Sequence, residues 1–304
     1  MTEVSPPISA AALSNTDQLL RSLEAAGYLA DRRTATTVYL ANQLAKPILV
    51  AGPAGTGKTQ LAKSVADIAG ARLVRLQCYE GLDESKALYE WNYRKQLLRI
   101  ETERATGGGE SAWNRVEADI FSPEFLLERP LLAAIRSSDP VVLLIDEVDR
   151  IEVETEALLL EVLSDYQVSV PELGTIAALR VPLVFLTSNS TRELSEALKR
   201  RCLFLHLDYP SLERERAIVQ AKVPDVAARL RDQLTLVVRS LRSLDLRKRP
   251  SVSETLDWAH ALVLMECADL DGDIVDETLH VLLKSHGDLE KARAALSGAP
   301  GSTG

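Results

Sequence analysis

The sequence predicts an α/β fold, a parallel sheet core with helices about it, followed by an all-helical C-terminal domain. Three observations predict it. Residues 46–69, KPILVAGPAGTGKTQLAKSVADIA, pass from an apolar, β-rich run through a glycine-rich loop into an amphipathic helix. Two more apolar runs, VVLLI and VPLVFLT, have the composition of strands buried on both faces. From Pro210 onward the strand signals stop and helical periods take over.

The first of these stretches carries the chemistry. Gly52, Gly57, Lys58 and Thr59 meet the spacing GxxxxGK(S/T). Glycine admits positive φ and lets the backbone approach an anion, so that successive N–H groups turn inward as a nest. The helix behind adds its unpaired N–H groups and the positive end of its dipole. Lys58 then reaches the outer phosphates as a point charge, and the Thr59 hydroxyl is a magnesium ligand. The loop residues Pro53, Ala54, Gly55 and Thr56, with Gln60 in the first helical turn, complete the phosphate cradle. The implied ligand is a nucleoside triphosphate, ATP, with Mg2+.

Length and composition bound the rest. A chain of 304 residues suits one large or two ordinary domains, and 46% hydrophobic residues can fill a core of that size. A formal net charge of −9 argues against a general grip on nucleic acid, whose phosphates demand a basic surface. No run of about 18 apolar residues and no basic-then-apolar leader is present, so a cytoplasmic protein without a membrane span is expected. Cys78, Cys202 and Cys267 are odd in number and widely spaced, which speaks for reduced thiols rather than a disulfide frame or zinc site.

In chain order, residues 1–14 read as a frayed, Ser- and Pro-rich lead, and 16–26 and 32–44 as two helices feeding the first strand. Residues 72–78 alternate as a second strand and 140–145 form a third. The sixty or so residues between them exceed one crossover helix, so 79–138 is read as an insert. Helices are expected at 88–100 and 123–136 around a flexible GGG loop at 106–111. The insert holds Tyr79, Tyr89, Trp91, Tyr93, Trp113, Phe121 and Phe125, half of the chain's aromatics. They either line a partner surface or pack the local core.

The strand VVLLI runs directly into Asp146 and Glu147. In a parallel sheet, ligands collect at the carboxyl ends of the strands, so this pair is delivered to the nucleotide. Asp146 is a magnesium ligand and Glu147 is placed to polarise the attacking water as general base. The strand at 181–187 ends in Ser188 and Asn189. Asn189 either orients that water or serves its own turn. A helix at 193–199 closes on Lys199, Arg200 and Arg201, three cations that either satisfy a helix end or bring positive charge to the γ-phosphate. Beyond a boundary near Tyr209, helices are expected at 211–222, 224–241, 251–267, 275–285 and 289–296, then a disordered tail. Arg247, Lys248 and Arg249 make a basic turn ahead of Pro250, with Ser251 as helix cap.

The order GPAGTGKT, LLIDEVDR, LTSN, ALKRRC and a helical lid resembles the AAA+ ATPases over roughly residues 45–283. The phrases GLDESKALYEW, LLERPLLAAI and KRPSVSETLDWAHAL resemble the MoxR group, notably its CoxD-like accessory branch. The resemblance makes Gly52 to Thr59 Walker A, Asp146 and Glu147 Walker B, and Asn189 sensor 1. It makes Arg201, or else Arg200, the arginine finger, and Arg249 a candidate for sensor 2. It further implies a homo-oligomeric ring, usually a hexamer, acting as a chaperone. The implied partners are a von Willebrand factor A domain protein and a protein client, such as a metalloenzyme under maturation. Two other readings compete: a DNA-directed motor of the clamp-loader or helicase kind, and a nucleotide-gated binding module.

Overall fold

The computed structural model describes residues 6–105 and 119–297. The chain divides into two compact units. One takes in the residues before Gly27, with Ala30–Ala51 and Thr59–Leu205; the other takes in Gly27–Leu29, Gly52–Lys58 and the chain from His206 onward.

The first unit is built on a sheet. Strands β1 (Ile48–Ala51), β2 (Arg72–Gln77), β5 (Val141–Asp146), β8 (Leu183–Ser188) and β9 (Leu203–His206) lie in the order β2-β5-β8-β1-β9. The pairs β2/β5, β5/β8 and β8/β1 are parallel. β1, β5 and β8 are buried at every position, which is why they read as unbroken apolar runs. The register sets Gln77 opposite Asp146 and Ala51 opposite Ser188. The strand ends that carry the polar residues therefore lie along one edge of the sheet.

The lead-in segment is not frayed over its described part. Ile8 and Leu13 are buried, and the Asn42 amide holds the Ile8 backbone at both ends, accepting from its N–H at 3.0 Å and donating to its carbonyl at 2.9 Å. The two helices expected next are Thr16–Ala25 and Arg32–Leu44, and the structure caps them with Asn15 and Asp31.

The insert departs from expectation. In place of a helix at 88–100, Tyr89–Trp91 forms strand β3 and the helix is Tyr93–Ala105. Asn92 explains the shift, because its side chain accepts from the Lys95 N–H and starts the helix there. The helix expected at 123–136 is broken into a 3-10 turn (Pro123–Phe125), strand β4 (Leu126–Glu128) and a helix Pro130–Ile135. Pro130 can begin a helix but cannot donate within one, and β4 pairs antiparallel with β3. Trp91 and Phe125 are core, with Trp91 edge-on to Phe121 at 5.4 Å, whereas Tyr79 and Tyr93 are exposed. Trp113 and the GGG loop lie outside the described residues. Beyond it, β6 (Gln167–Val170) and β7 (Gly174–Ala177) pair antiparallel as a hairpin, and the helix expected at 193–199 is Glu196–Arg201, capped by Ser195.

In the second unit five helices, Leu212–Lys222, Ala228–Ser243, Val252–Leu264, Gly272–Leu282 and His286–Ser297, close on a core centred on Trp258. Its indole N–H donates to Thr278 Oγ1 at 2.8 Å, so a large buried ring leaves no polar atom unpaired. The helix expected to start at 224 begins four residues later, and that expected at 275 begins at Gly272 behind the Asp271 cap. No helix among the described residues is long and apolar enough to cross a membrane.

Candidate functional site

In the first unit the acidic pair and the loop threonine meet. The Thr59 hydroxyl donates to Asp146 Oδ1 at 2.9 Å, across 87 positions of sequence. The Thr187 hydroxyl donates to the same oxygen at 2.5 Å. A hydroxyl and a carboxylate are the hard oxygen ligands that magnesium takes, so the residues present fit that ion.

Glu147, one residue on, holds a left-handed backbone at φ +58°. That conformation costs a non-glycine residue about 1–2 kcal/mol, and here its N–H donates to Thr187 Oγ1 at 2.9 Å. The turn lets Asp146 and Glu147 face different partners. Glu147 Oε2 accepts from Gln77 Nε2 and pairs with Arg150, both at 3.1 Å, while Asn189 Nδ2 lies 3.5 Å from Oε1. The asparagine amide is thus brought to the Glu147 carboxylate.

Asp149 fixes the Asn189 turn. Its carboxylate accepts from the Asn189 N–H at 3.2 Å, the Thr191 N–H at 2.9 Å and the Thr191 hydroxyl at 2.5 Å. Burial pushes this carboxyl up, but the donations from Thr191 and from the Asn189 backbone outweigh it and hold it below the usual range. Cys78 follows β2, and burial, aided by the charges of Asp146, Asp149 and Glu147, pushes its thiol up to about 12.

Arg200 and Arg201 do not join this group. Arg201 donates to Ser164 Oγ at 2.7 Å and to the Ala197 carbonyl at 3.0 Å, and Arg200 is exposed. Neither is hydrogen-bonded or ion-paired with Asp146, Glu147 or Asn189 among the described residues.

In the second unit the glycine loop has the geometry its composition demands. Gly52, Gly55 and Gly57 all have positive φ. A Cβ on Gly52 would fall 2.0 Å from the Leu207 carbonyl oxygen, and one on Gly55 would fall 2.3 Å from the Ser251 side chain. The loop is therefore closed to any side chain at these points. Lys58 is buried, with its ammonium donating to the Gly52 and Pro53 carbonyls at 2.7 and 2.6 Å. Thr56 closes the loop on the Pro53 carbonyl at 2.9 Å, Ala54 is exposed, and Gln60 reaches Ser64 at 3.2 Å within its own helix. Ser251 caps its helix in a capping box with Glu254. The basic turn before it is held by Asp288, which accepts from the Arg247 and Lys248 N–H groups, and leaves Arg249 exposed.

Sequence reasoning missed Arg75, Gln77, Thr187 and Asp149. Arg75 Nε and Nη2 both donate to Asp146 Oδ2, at 3.1 and 2.6 Å. The alternation of β2 puts Arg75 and Gln77 on one face, and that was the only signal available for them.

Comparison with known proteins bears on the same residues. The family model described as "ATPase family associated with various cellular activities (AAA)" matches residues 48–208. Among curated proteins, uncharacterized proteins of Staphylococcus aureus are similar. The one from strain bovine RF122 / ET3-1 is 28% identical over 178 residues, covering 55% of this chain and 57% of that protein. One from strain USA300 is 27% identical over the same shares. The chain thus spans little more than half the length of these relatives. Among solved structures, a RuvB mutant of Thermotoga maritima is similar with TM-score 0.49 and 19% identity, over 88% of this chain and 70% of that one. The Thermotoga maritima RuvB Holliday junction branch migration motor is similar with TM-score 0.45 and 19% identity, over 90% and 70%. The expectation that nucleic acid is an unlikely partner is corrected, because net charge averages over the whole surface whereas a nucleic-acid contact depends on local charge, so −9 excludes nothing.

Proposed function

The chain belongs to the ATPase family associated with various cellular activities, whose domain takes Mg-ATP, and from that premise we propose that it hydrolyses ATP to drive work on a macromolecular client. The observation that carries the reading is the meeting of Thr59 with Asp146 at 2.9 Å, with Glu147 on the next residue. Thr59 and Asp146 would hold the magnesium ion, which supplies charge neutralisation at the transferring phosphoryl group. The loop N–H groups and Lys58 bind the phosphates. Glu147 takes the proton of the attacking water, and Asn189, 3.5 Å from it, orients that water. Arg201 or Arg200 is the candidate for the arginine that meets γ-phosphate charge, and Arg249 the candidate for a second phosphate sensor.

Turnover of wild type, Lys58→Ala and Glu147→Gln tests the roles. Both variants lose hydrolysis, and only Lys58→Ala loses nucleotide binding. Wild-type turnover in Glu147→Gln contradicts the assignment. Mixing Arg201→Ala with Glu147→Gln tells whether the arginine serves its own chain or another.

For the client, a DNA-directed motor is the reading to test first, because the solved structures of similar fold include one titled as a Holliday junction motor. That likeness stands for the fold alone, so experiment sets the client. The second reading, a MoxR-type chaperone, is favoured by GLDESKALYEW and KRPSVSETLDWAHAL. ATP turnover that rises with four-way junction or duplex DNA at moderate salt supports the first. Turnover indifferent to DNA at all salt concentrations supports the second.

A further inference from the structure

We propose that Arg75 is the internal counter-ion of Asp146, standing at the carboxylate that magnesium takes and competing with the metal for it. The inference rests on the ATPase reading above and adds to it a residue that gates the metal site. Asp146 is 3% exposed, and a carboxylate so buried requires compensation. Its Oδ1 accepts from two neutral hydroxyls, Thr59 and Thr187, which supply dipoles but no charge. The charge is met on Oδ2 by Arg75, through two donors at 3.1 and 2.6 Å.

The placement follows from the register. β2 lies parallel to β5 with Gln77 opposite Asp146, so Arg75, two residues back on the same face, reaches forward along its strand. Its side chain is 47% exposed, so the guanidinium can leave the carboxylate for water without first breaking the core. A divalent ion arriving at Asp146 repels a guanidinium at that distance and replaces the charge it supplied.

A second contact links this exchange to the base. Arg75 Nη2 also donates to Gln77 Oε1, which turns the amide so that its NH2 faces Glu147 Oε2 at 3.1 Å. Asp146, Arg75, Gln77 and Glu147 thus form one hydrogen-bonded chain. Release of Arg75 from Asp146 frees the amide, and with it the general base, when the metal arrives.

The test is Mn2+ titration of the ADP-bound full chain, followed by electron paramagnetic resonance, with thermal unfolding alongside. Arg75→Gln removes the competing cation, so Mn2+ binds about fivefold more tightly, a factor reduced from that of a fully buried contact by the exposure of Arg75. Without metal the same variant melts below wild type, and Mn2+ with ADP narrows the difference. Equal or weaker Mn2+ affinity in Arg75→Gln, with ADP binding retained, overturns the proposal, because Arg75 would then support the metal site. If Arg75→Gln does not fold, Arg75→Lys carries the test. A lysine keeps the charge but loses the two-pronged grip, so it tightens Mn2+ binding by a smaller factor, and unchanged or weakened binding again overturns the proposal. If wild type binds no Mn2+ in the presence of ADP, the ATPase reading itself fails and this inference with it. Binding in wild type with no gain in either variant fails only the role of Arg75.

Discussion

The Thr187 hydroxyl donates to Asp146 Oδ1 at 2.5 Å while accepting the Glu147 N–H at 2.9 Å, so one side chain of β8 sets both acids at the end of β5. Thr187 is 1% exposed, so bulk solvent does not reach its hydroxyl. Thr187→Val keeps the shape and removes the hydroxyl. The Glu147 N–H then loses its acceptor in a backbone conformation that already costs energy. The expected result is a loss of about 1–3 kcal/mol in denaturant unfolding and a fall in ATP turnover larger than any change in nucleotide affinity. Thr187→Ser, which restores the hydroxyl, recovers most of the turnover. Equal turnover in the valine and serine variants would show that the hydroxyl is not what orders the pair.

Asp149 gives the protein an acid-side sensitivity. Its carboxyl is held below its ordinary value, chiefly against burial, by Thr191 and by the Asn189 backbone. A group depressed in the folded state contributes stability above its unfolded pKa, near 4. That contribution is complete at pH 7 and is lost as pH falls through the folded value. Asp149→Ala should therefore cost roughly 2–3 kcal/mol at pH 7 and less at pH 3, below the unfolded value. Unfolding free energies at the two pH values decide it, and a penalty that is the same at both rules out the ionised carboxylate as the source.

Burial sets thiol reactivity in the same region. Cys78 is pushed up to about 12 by burial and by three neighbouring carboxylates, and Cys202 to about 12 by burial, against the opposing pull of Arg201. A thiol attacks as thiolate, so both should react with an aromatic disulfide reagent at pH 8 at least about 100-fold more slowly than an unperturbed cysteine. Cys267, which is partly exposed, should be modified first. Mass mapping after brief labelling tests the order, and rapid labelling of Cys78 in the folded protein would show that the β2 end opens readily.

How far these residues could be read in advance depends on the distance over which each interaction acts. Thr59, Asp146 and Glu147 were legible because a loop of fixed spacing and an apolar strand ending in acids are local patterns, and a parallel sheet sends both to one edge. Arg75 and Gln77 were not, because their partners depend on β2 lying next to β5 in one particular register. Asp149 was not legible either, because its partners lie on a turn 40 residues away. The insert failed at its boundaries for a different reason: Asn92 and Pro130 are both strong helix starters, and the apolar spacing around them fits strand and helix alike. In the helical unit, Ser251 was legible as a cap, but the pair Glu215 and Arg242 was hidden among ordinary surface-like charges.

That pair supports the last prediction. Arg242 donates two hydrogen bonds to Glu215 at 2.6 and 2.7 Å, with side-chain exposures of 10% and 1%, and the Thr255 hydroxyl donates to Glu215 as well. Removing either partner leaves a buried charge uncompensated, so Glu215→Ala and Arg242→Ala should each cost about 3–5 kcal/mol. Replacing both by apolar residues of similar size, Glu215→Leu with Arg242→Met, removes the two desolvation costs together and should be less destabilising than either single change. Stability is not the whole of it. Arg242 Nε also donates to the Pro250 carbonyl at 2.8 Å, and the next residue, Ser251, lies against Gly55 of the phosphate loop. The double variant keeps a packed core but frees that carbonyl, so it should regain thermal stability while binding ADP several-fold more weakly than wild type. Parallel melting and ADP titration separate the two effects, and full recovery of both in the double variant would mean that the ion pair serves packing alone.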